Sequence, residues 1–179
     1  MPPMTGSARL DVLINNAGMS PRYESLGSVT EMLFDSVVNL NLKGPFLTMK
    51  HAIPLMVEGG GGAVVNVSAT LALAAAPGFA HYGAAEAGLL QLTKTAALEY
   101  GQSGVRVNAI CPSVIDTPTF QATTAGMPKE VLDGLLSRQG IRRLARAEEV
   151  AAAAVFLASD DASYLTGAVL PVDGGYLAG

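Results

Sequence analysis

The sequence predicts an α/β fold, with about four parallel strands and with helices on both faces of the sheet. Short apolar runs rich in β-branched residues alternate along the chain with longer segments of helical periodicity. Helices of ten or more residues lie between successive strands, which is typical of right-handed βαβ units. The 179 residues, 50% hydrophobic and 15% charged, have the size and composition of one compact domain.

The predicted strands are short, apolar and bounded by turn residues. They cover residues 10–15, 63–67, 104–110 and 166–172. The second of them, Ala-Val-Val-Asn-Val, is apolar on both faces, as expected for a buried parallel strand.

Helical periodicity covers four segments of the chain. The first begins at residues 28–31, where Ser and Glu have the spacing of a capping box, and it continues to about Val57. The others cover residues 80–100, 129–138 and 147–158. Residues 112–128 contain three prolines and no clear period, which predicts a loop or lid.

Composition excludes several classes of function. The net charge is −4 and no run of Lys and Arg occurs, so nothing indicates nucleic-acid binding. The longest apolar run, residues 150–158, is too short to cross a bilayer, and no signal peptide is visible. The lone Cys111 allows no internal disulfide, which favours a cytoplasmic protein. His51 and His81 have no partner at metal-ligand spacing, so we expect no metal site, and His81 is interpreted as an ordinary residue at a helix start.

Seven short motifs follow one another from the first predicted strand to the C-terminus. They are Asn-Asn-Ala-Gly at 15–18, Asn-Leu-Lys-Gly at 41–44, Val-Val-Asn-Val-Ser at 64–68, Tyr82, Arg-Val-Asn at 106–108, Cys-Pro at 111–112 and Val-Asp-Gly-Gly at 172–175. Each is weak alone, but their order and spacing closely resemble the classical short-chain dehydrogenases/reductases.

The resemblance implies the C-terminal part of a Rossmann-type doubly wound parallel sheet. It also implies an oxidoreductase that transfers hydride between a carbonyl and a hydroxyl, with NAD or NADP as cofactor and a small carbonyl or alcohol compound as substrate. A homodimer or homotetramer, packed through the helices that match residues 30–57 and 80–100, is implied as well.

The resemblance further implies which residues form the site. Tyr82 matches the family's proton donor, and Asn41 matches the residue that holds a water in a proton relay. The predicted cofactor contacts are Asn16, Ala17 and Gly18 beside the ribose, and Pro112, Ile115 and Thr117 beside the carboxamide.

Alternatives remain open for several of these positions. Residues 16–18 are equally well explained as a tight turn after a strand. Asn41 is equally well explained as a polar residue that relieves a helix irregularity near Gly44. Asn66 and Asn108 are interpreted as structural residues that bond loop backbone.

Two positions depart from the family's catalytic set. The serine that orients the substrate falls on Ala69, and its neighbours Ser68 and Thr70 are not obvious substitutes, because neighbouring side chains in a strand point to opposite faces. The lysine that lowers the pKa of the tyrosine falls on Glu86, one helical turn beyond Tyr82 and on the same face. Since a nearby anion raises the pKa of a phenol and a cation lowers it, we expect Tyr82 to be a poor acid.

The phosphate-binding part of the family's cofactor site has no counterpart in these residues. No glycine-rich turn leads from a strand into a helix, since the glycines at 59–62 precede a strand. The strand at residues 10–15 matches the family's fourth strand and would form an exposed apolar edge, which favours association or poor solubility. We therefore expect residues 1–179 to form a single partial NAD(P)-binding domain that lacks the N-terminal glycine-rich half. The expected function is an impaired oxidoreductase; the alternatives are a catalytically silent dimerising remnant and a fragment of a longer gene product.

Overall fold

A four-stranded parallel sheet forms the centre of the computed structural model, which describes residues 9–19, 23–124 and 127–178. Its strands are β1 (Val12–Asn15), β2 (Gly62–Val67), β3 (Val105–Pro112) and β6 (Val169–Val172). Two short strands, β4 (Ile115–Asp116) and β5 (Ala145–Arg146), lie between β3 and β6 in the chain. Their order is β1-β2-β3-β6, and every neighbouring pair is parallel. Strands β4 and β5 pair separately, also in parallel. The predicted α/β class is confirmed.

The described residues form six α-helices. They are α1 (Glu31–Val38), α2 (Gly44–Glu58), α3 (Ala80–Tyr100), α4 (Pro118–Thr124), α5 (Lys129–Ser137) and α6 (Ala147–Ala158). Of these, α2, α3 and α6 pack on the two faces of this sheet. Helices α2 and α3 pack against Val64, whereas α6 packs against its neighbour Val65 on the other face. Both valines are fully buried, because adjacent side chains of a strand point to opposite faces.

A short π-helical segment, Asn39–Lys43, joins α1 to α2. The predicted irregularity in this long helical stretch is therefore present, and Asn41 lies within it. The predicted capping box was placed two residues too early: Thr30 is the N-cap, and its hydroxyl accepts a hydrogen bond from the amide of Leu33. Ser28 instead ends a short 3-10 turn.

The prediction of a loop or lid over residues 112–128 was wrong in part, because β4 and α4 lie within it. Pro118 occupies the first turn of α4, where backbone amides have no acceptor within the helix, so the missing amide proton removes no helical hydrogen bond. The Thr117 hydroxyl accepts a hydrogen bond from the amide of Phe120 and so caps this helix. The proline that suggested a loop instead marks the start of a helix.

Strand β1 lies at one edge of the described sheet, as predicted, and pairs only with β2. Ile14 pairs with Val65, so Val12 and Ile14 lie on the same face as Val65, where α6 packs on β2, β3 and β6. At the edge strand β1 these two side chains are 41% and 46% exposed. None of the described helices is both long enough and apolar enough to cross a membrane.

Two buried asparagines behave differently from each other. Asn108 bonds loop backbone, as predicted, because its amide donates to the carbonyl of Leu165 and accepts from the amide of Ala168. Asn66 instead bonds the side chains of Asn15 and Thr93, so the prediction that it bonds loop backbone was wrong. It links β1, β2 and α3 through the centre of the domain.

Candidate active site

A cavity of about 190 Å³ opens beyond the carboxyl ends of β2 and β3, where α/β sheets commonly bind ligands. Tyr82, in the first turn of α3, contributes to its wall. Three residues predicted from the sequence lie in the same wall: Pro112, Ile115 and Thr117. The fold thus brings together segments that are 30 or more residues apart in the chain.

The turn at residues 16–18 does not line this cavity. Asn16, Ala17 and Gly18 are exposed and lie after the end of β1. Gly18 packs beside the side chain of Asn41, where an added Cβ would meet ordinary contact distances of 3.7 Å. Residues 16–18 form an irregular connection after β1, so the turn and the contact with a cofactor both stay predictions.

Ala69 lines the cavity at the position expected for a catalytic serine, and Thr70 lines it as well. The sequence prediction for Thr70 was wrong because it assumed that the strand continues. Strand β2 ends at Val67, and Thr70 begins a 3-10 turn, so the alternation of faces is lost there. Ser68 lies elsewhere, with its hydroxyl donating to the backbone carbonyl of Glu86 at 3.3 Å.

Glu86 lies one helical turn beyond Tyr82 and is almost completely buried, with 3% of its surface exposed. Its Oε1 accepts a hydrogen bond of 2.8 Å from Nδ2 of Asn41. Its Oε2 has no hydrogen-bond partner among the described residues. Burial raises the pKa of Glu86 from 4.5 to about 7, although the hydrogen bond from Asn41 favours the charged form.

The phenol of Tyr82 is a weak acid in this environment. Burial raises its pKa above the ordinary value, and the negative charges of Glu86 and then of Cys111 raise it further. No lysine or arginine of the described chain counteracts these effects. Lys94, the only lysine on α3, is exposed and lies 12 residues, or about 18 Å, further along the helix axis.

Asn41 connects the turn after β1 to the buried carboxylate. Its Oδ1 accepts a hydrogen bond of 2.8 Å from the amide of Met19, and its Nδ2 donates to the carbonyl of Met19 at 3.1 Å. The same Nδ2 donates to Glu86. The sequence did not indicate this contact, because the two residues are 45 positions apart.

His81 is at the start of α3, as predicted, but it is not an ordinary residue. It is 1% exposed, and neither ring nitrogen has a hydrogen-bond partner in the described parts of the chain. Burial lowers its pKa, although the nearby carboxylate of Glu24 acts in the opposite direction. No group of three potential metal ligands occurs within residues 9–19, 23–124 and 127–178.

Comparison with known proteins identifies the family. A family model described as enoyl-(acyl carrier protein) reductase matches residues 5–177. The chain is 45% identical to cis-4-hydroxycyclohexanecarboxylate dehydrogenase of Sinomonas cyclohexanicum, over 94% of this chain and 66% of that protein. The chain belongs to the short-chain dehydrogenase/reductase family.

Other members of the short-chain dehydrogenase/reductase family support the same conclusion. The 3-oxoacyl-[acyl-carrier-protein] reductase of Thermotoga maritima is 41% identical, over 93% of this chain and 66% of the relative. The crystal structure of levodione reductase superposes with a TM-score of 0.89 at 36% identity, covering 95% of this chain and 67% of that one. ElxO with NADP bound gives a TM-score of 0.87 at 36% identity, with 96% and 68% covered. The chain spans about two thirds of the length of the curated relatives it matches.

The residues present fit the family's nicotinamide cofactor in shape but not in charge. Pro112, Ile115 and Thr117 offer a largely apolar wall beside Tyr82, which suits a flat ring. However, the position of the family's lysine holds a buried carboxylate with an unpartnered oxygen. The site therefore does not fit the arrangement in which a cation assists the phenol.

Proposed function

We propose that this chain carries the substrate-binding side of a short-chain dehydrogenase/reductase whose proton transfer through Tyr82 is impaired. The observation that carries the proposal is the buried carboxylate of Glu86, one turn from Tyr82 and bonded to Asn41. It raises the pKa of the phenol, whereas proton transfer at neutral pH needs that pKa lowered. Tyr82 remains the group placed to exchange a proton with a substrate oxygen in the cavity.

NAD or NADP is the proposed cofactor. The nicotinamide would lie against Pro112, Ile115 and Thr117 and would supply or accept the hydride when bound. The turn formed by Asn16, Ala17 and Gly18 would lie beside the ribose, held in place by Asn41. Asn41 itself is proposed as a positioning residue, because all of its described hydrogen bonds go to Met19 and Glu86.

The proposed substrate is a small carbonyl or alcohol compound. The cavity, at about 190 Å³, has room for a single substituted ring, and Phe79 and Leu135 give it an apolar floor. Two relatives are named for six-membered rings that carry an acidic group, a hydroxycyclohexanecarboxylate and a formylbenzenesulfonate. A cytoplasmic location, and the absence of nucleic-acid and membrane partners, stay predictions.

A homodimer or homotetramer is the proposed assembly, because an apolar groove separates α2 from α3. Phe46, Met49, Ile53 and Leu92 line it, and Phe46 is 42% exposed. We expect the wild-type chain to sediment as an oligomer and Phe46→Asp to shift it toward the monomer. The control, Leu26→Asp, places the same charge on a residue that is 77% exposed and lies outside residues 30–57 and 80–100, and it should leave the oligomer intact. A wild-type chain of monomer mass at micromolar concentration would contradict this assembly.

The second candidate is a catalytically silent protein that keeps only the dimerisation surface, or a fragment of a longer gene product. The groove between α2 and α3 and the carboxylate of Glu86 both favour the catalytically silent protein. In-frame DNA upstream of Met1 that encodes a glycine-rich turn would favour the fragment.

A binding experiment tests whether the 179 residues alone can hold the proposed cofactor. These residues contain no glycine-rich strand-to-helix turn to hold a pyrophosphate, so we expect no saturable binding in a fluorescence titration with NADH or NADPH. The Thermotoga reductase, 41% identical to this chain, serves as the positive control. Micromolar affinity of the chain for either cofactor would contradict this expectation, because the nicotinamide side of the site would then suffice for binding.

A further inference from the structure

A second cavity, of about 300 Å³, adjoins the cavity around Tyr82. Phe79 and Leu135 line both cavities and thus form the wall between them. Phe79 precedes Tyr82 by three residues, and Leu135 lies on α5. No charged side chain lines the first cavity in the described structure, whereas Glu130 and Arg138 line the second.

Arg138 is held in a fixed position at the end of α5. Its guanidinium carbon lies 4.3 Å from the centroid of the Tyr176 ring, and its Nη1 donates a hydrogen bond of 2.9 Å to the Tyr176 hydroxyl. Tyr176 is 1% exposed, whereas Arg138 itself is exposed to solvent. Leu135 is one helical turn before Arg138 and therefore on the same face of α5.

The guanidinium of Arg138 retains unused capacity for binding an anion. It makes no ion pair with any described carboxylate, and of its five N–H donors the described hydrogen bonds use one. A planar guanidinium binds a carboxylate or sulfonate through two parallel hydrogen bonds, and such charge-assisted bonds are the strong ones. Glu130 would repel an anion, so the anion must lie on the Arg138 side of this cavity.

We propose that the second cavity binds the anionic group, a carboxylate or sulfonate, of a substrate whose ring lies in the first cavity with its carbonyl oxygen at Tyr82. The inference rests on the proposed function, because it takes the Tyr82 cavity as the place where the substrate oxygen lies. The ring and the acidic group would lie on the two sides of Phe79 and Leu135, which line both cavities.

Binding without cofactor tests this proposal. The probes are 4-oxocyclohexanecarboxylate and its neutral analogue 4-oxocyclohexanecarboxamide, which share the ring and the ketone. We expect calorimetry or ligand-observed NMR to give the acid about tenfold higher affinity than the amide for the wild-type chain. Arg138→Met should abolish this preference. Arg142→Met removes the same charge four residues away, outside both cavities, and should preserve it.

Three results would overturn the proposal. They are equal affinity of the acid and the amide for the wild-type chain, a preference that survives Arg138→Met, and no detectable binding of the acid. Because Arg138→Met also removes support from Tyr176, its unfolding temperature must be compared with that of the wild type. If Arg138→Met does not fold, the affinities of the acid and the amide for the wild-type chain still test the proposal. Since these measurements need no turnover, their failure would contradict this inference and would leave the proposed impairment of proton transfer through Tyr82 untouched.

Discussion

Glu86→Lys is expected to raise the rate of ketone reduction by about a hundredfold or more once the chain is joined to a glycine-rich nucleotide-binding segment. The segment can be taken from the N-terminal part of the Thermotoga reductase, which is 41% identical over the matched region. In the fusion with Glu86, the carboxylate opposes ionisation of Tyr82. In the fusion that carries Glu86→Lys, position 86 holds a cation, which lowers the pKa of the Tyr82 phenol.

Matched variants separate this effect from a general change of charge. Glu148→Lys makes the same charge change on an exposed residue of α6, outside the proposed interface, and should leave the rate unchanged. Tyr82→Phe should abolish the gain, because the lysine acts through the phenol. Ala69→Ser combined with Glu86→Lys in the 179-residue chain alone should give no turnover. An equal rate for the fusions with Glu86 and with lysine would show that the carboxylate is not the obstacle.

Stability is expected to depend on pH through the same carboxylate. The folded-state pKa of Glu86, about 7, is above its ordinary value of 4.5. The folded protein therefore holds this proton more tightly than the unfolded chain does. The resulting stabilisation is fully present below about pH 4.5 and is lost as the pH rises through 7. The loss between these limits is on the order of 3 kcal/mol, from 1.36 kcal/mol per pKa unit.

Glu86→Gln removes the titration but keeps the shape of the side chain. The free energy of unfolding, measured by urea denaturation from about pH 5 to pH 8, should fall less for this variant than for the wild type. The difference between the two proteins isolates Glu86, because other groups contribute equally to both. His81 is one such group. Because its pKa is lowered in the folded protein, it stabilises the folded state at high pH, and this stabilisation is lost as the pH falls. Parallel pH profiles for the two proteins would contradict the burial of a titrating carboxylate.

Most of the fold could be predicted because the strands and helices follow local signals. Val64 and Val65 indicated a strand buried on both faces, and both are buried there. Helix α4 could not be predicted, because Pro118 ends a helix and begins one equally well, and only the tertiary structure decides. Thr70 was misjudged for a similar reason, since nothing local indicates that β2 ends at Val67.

The candidate site could be predicted where it depends on helical spacing. Tyr82 and Glu86 are four residues apart, so their common face follows from the sequence. The hydrogen bond from Asn41 to Glu86 does not follow from the sequence, because only the packed domain brings these residues together. The burial of His81 and the support of Arg138 by Tyr176 depend on tertiary packing in the same way.

The most direct measurement is an NMR titration of the ¹³Cζ resonance of Tyr82 in the wild-type chain, assigned by its loss in Tyr82→Phe. With Glu86 beside it, the phenol should stay protonated up to the highest pH at which the protein remains folded. In Glu86→Lys the same resonance should titrate at a lower pH, by about one to three pH units. A wild-type Tyr82 that ionises at or below its ordinary pKa of about 10 would contradict the account.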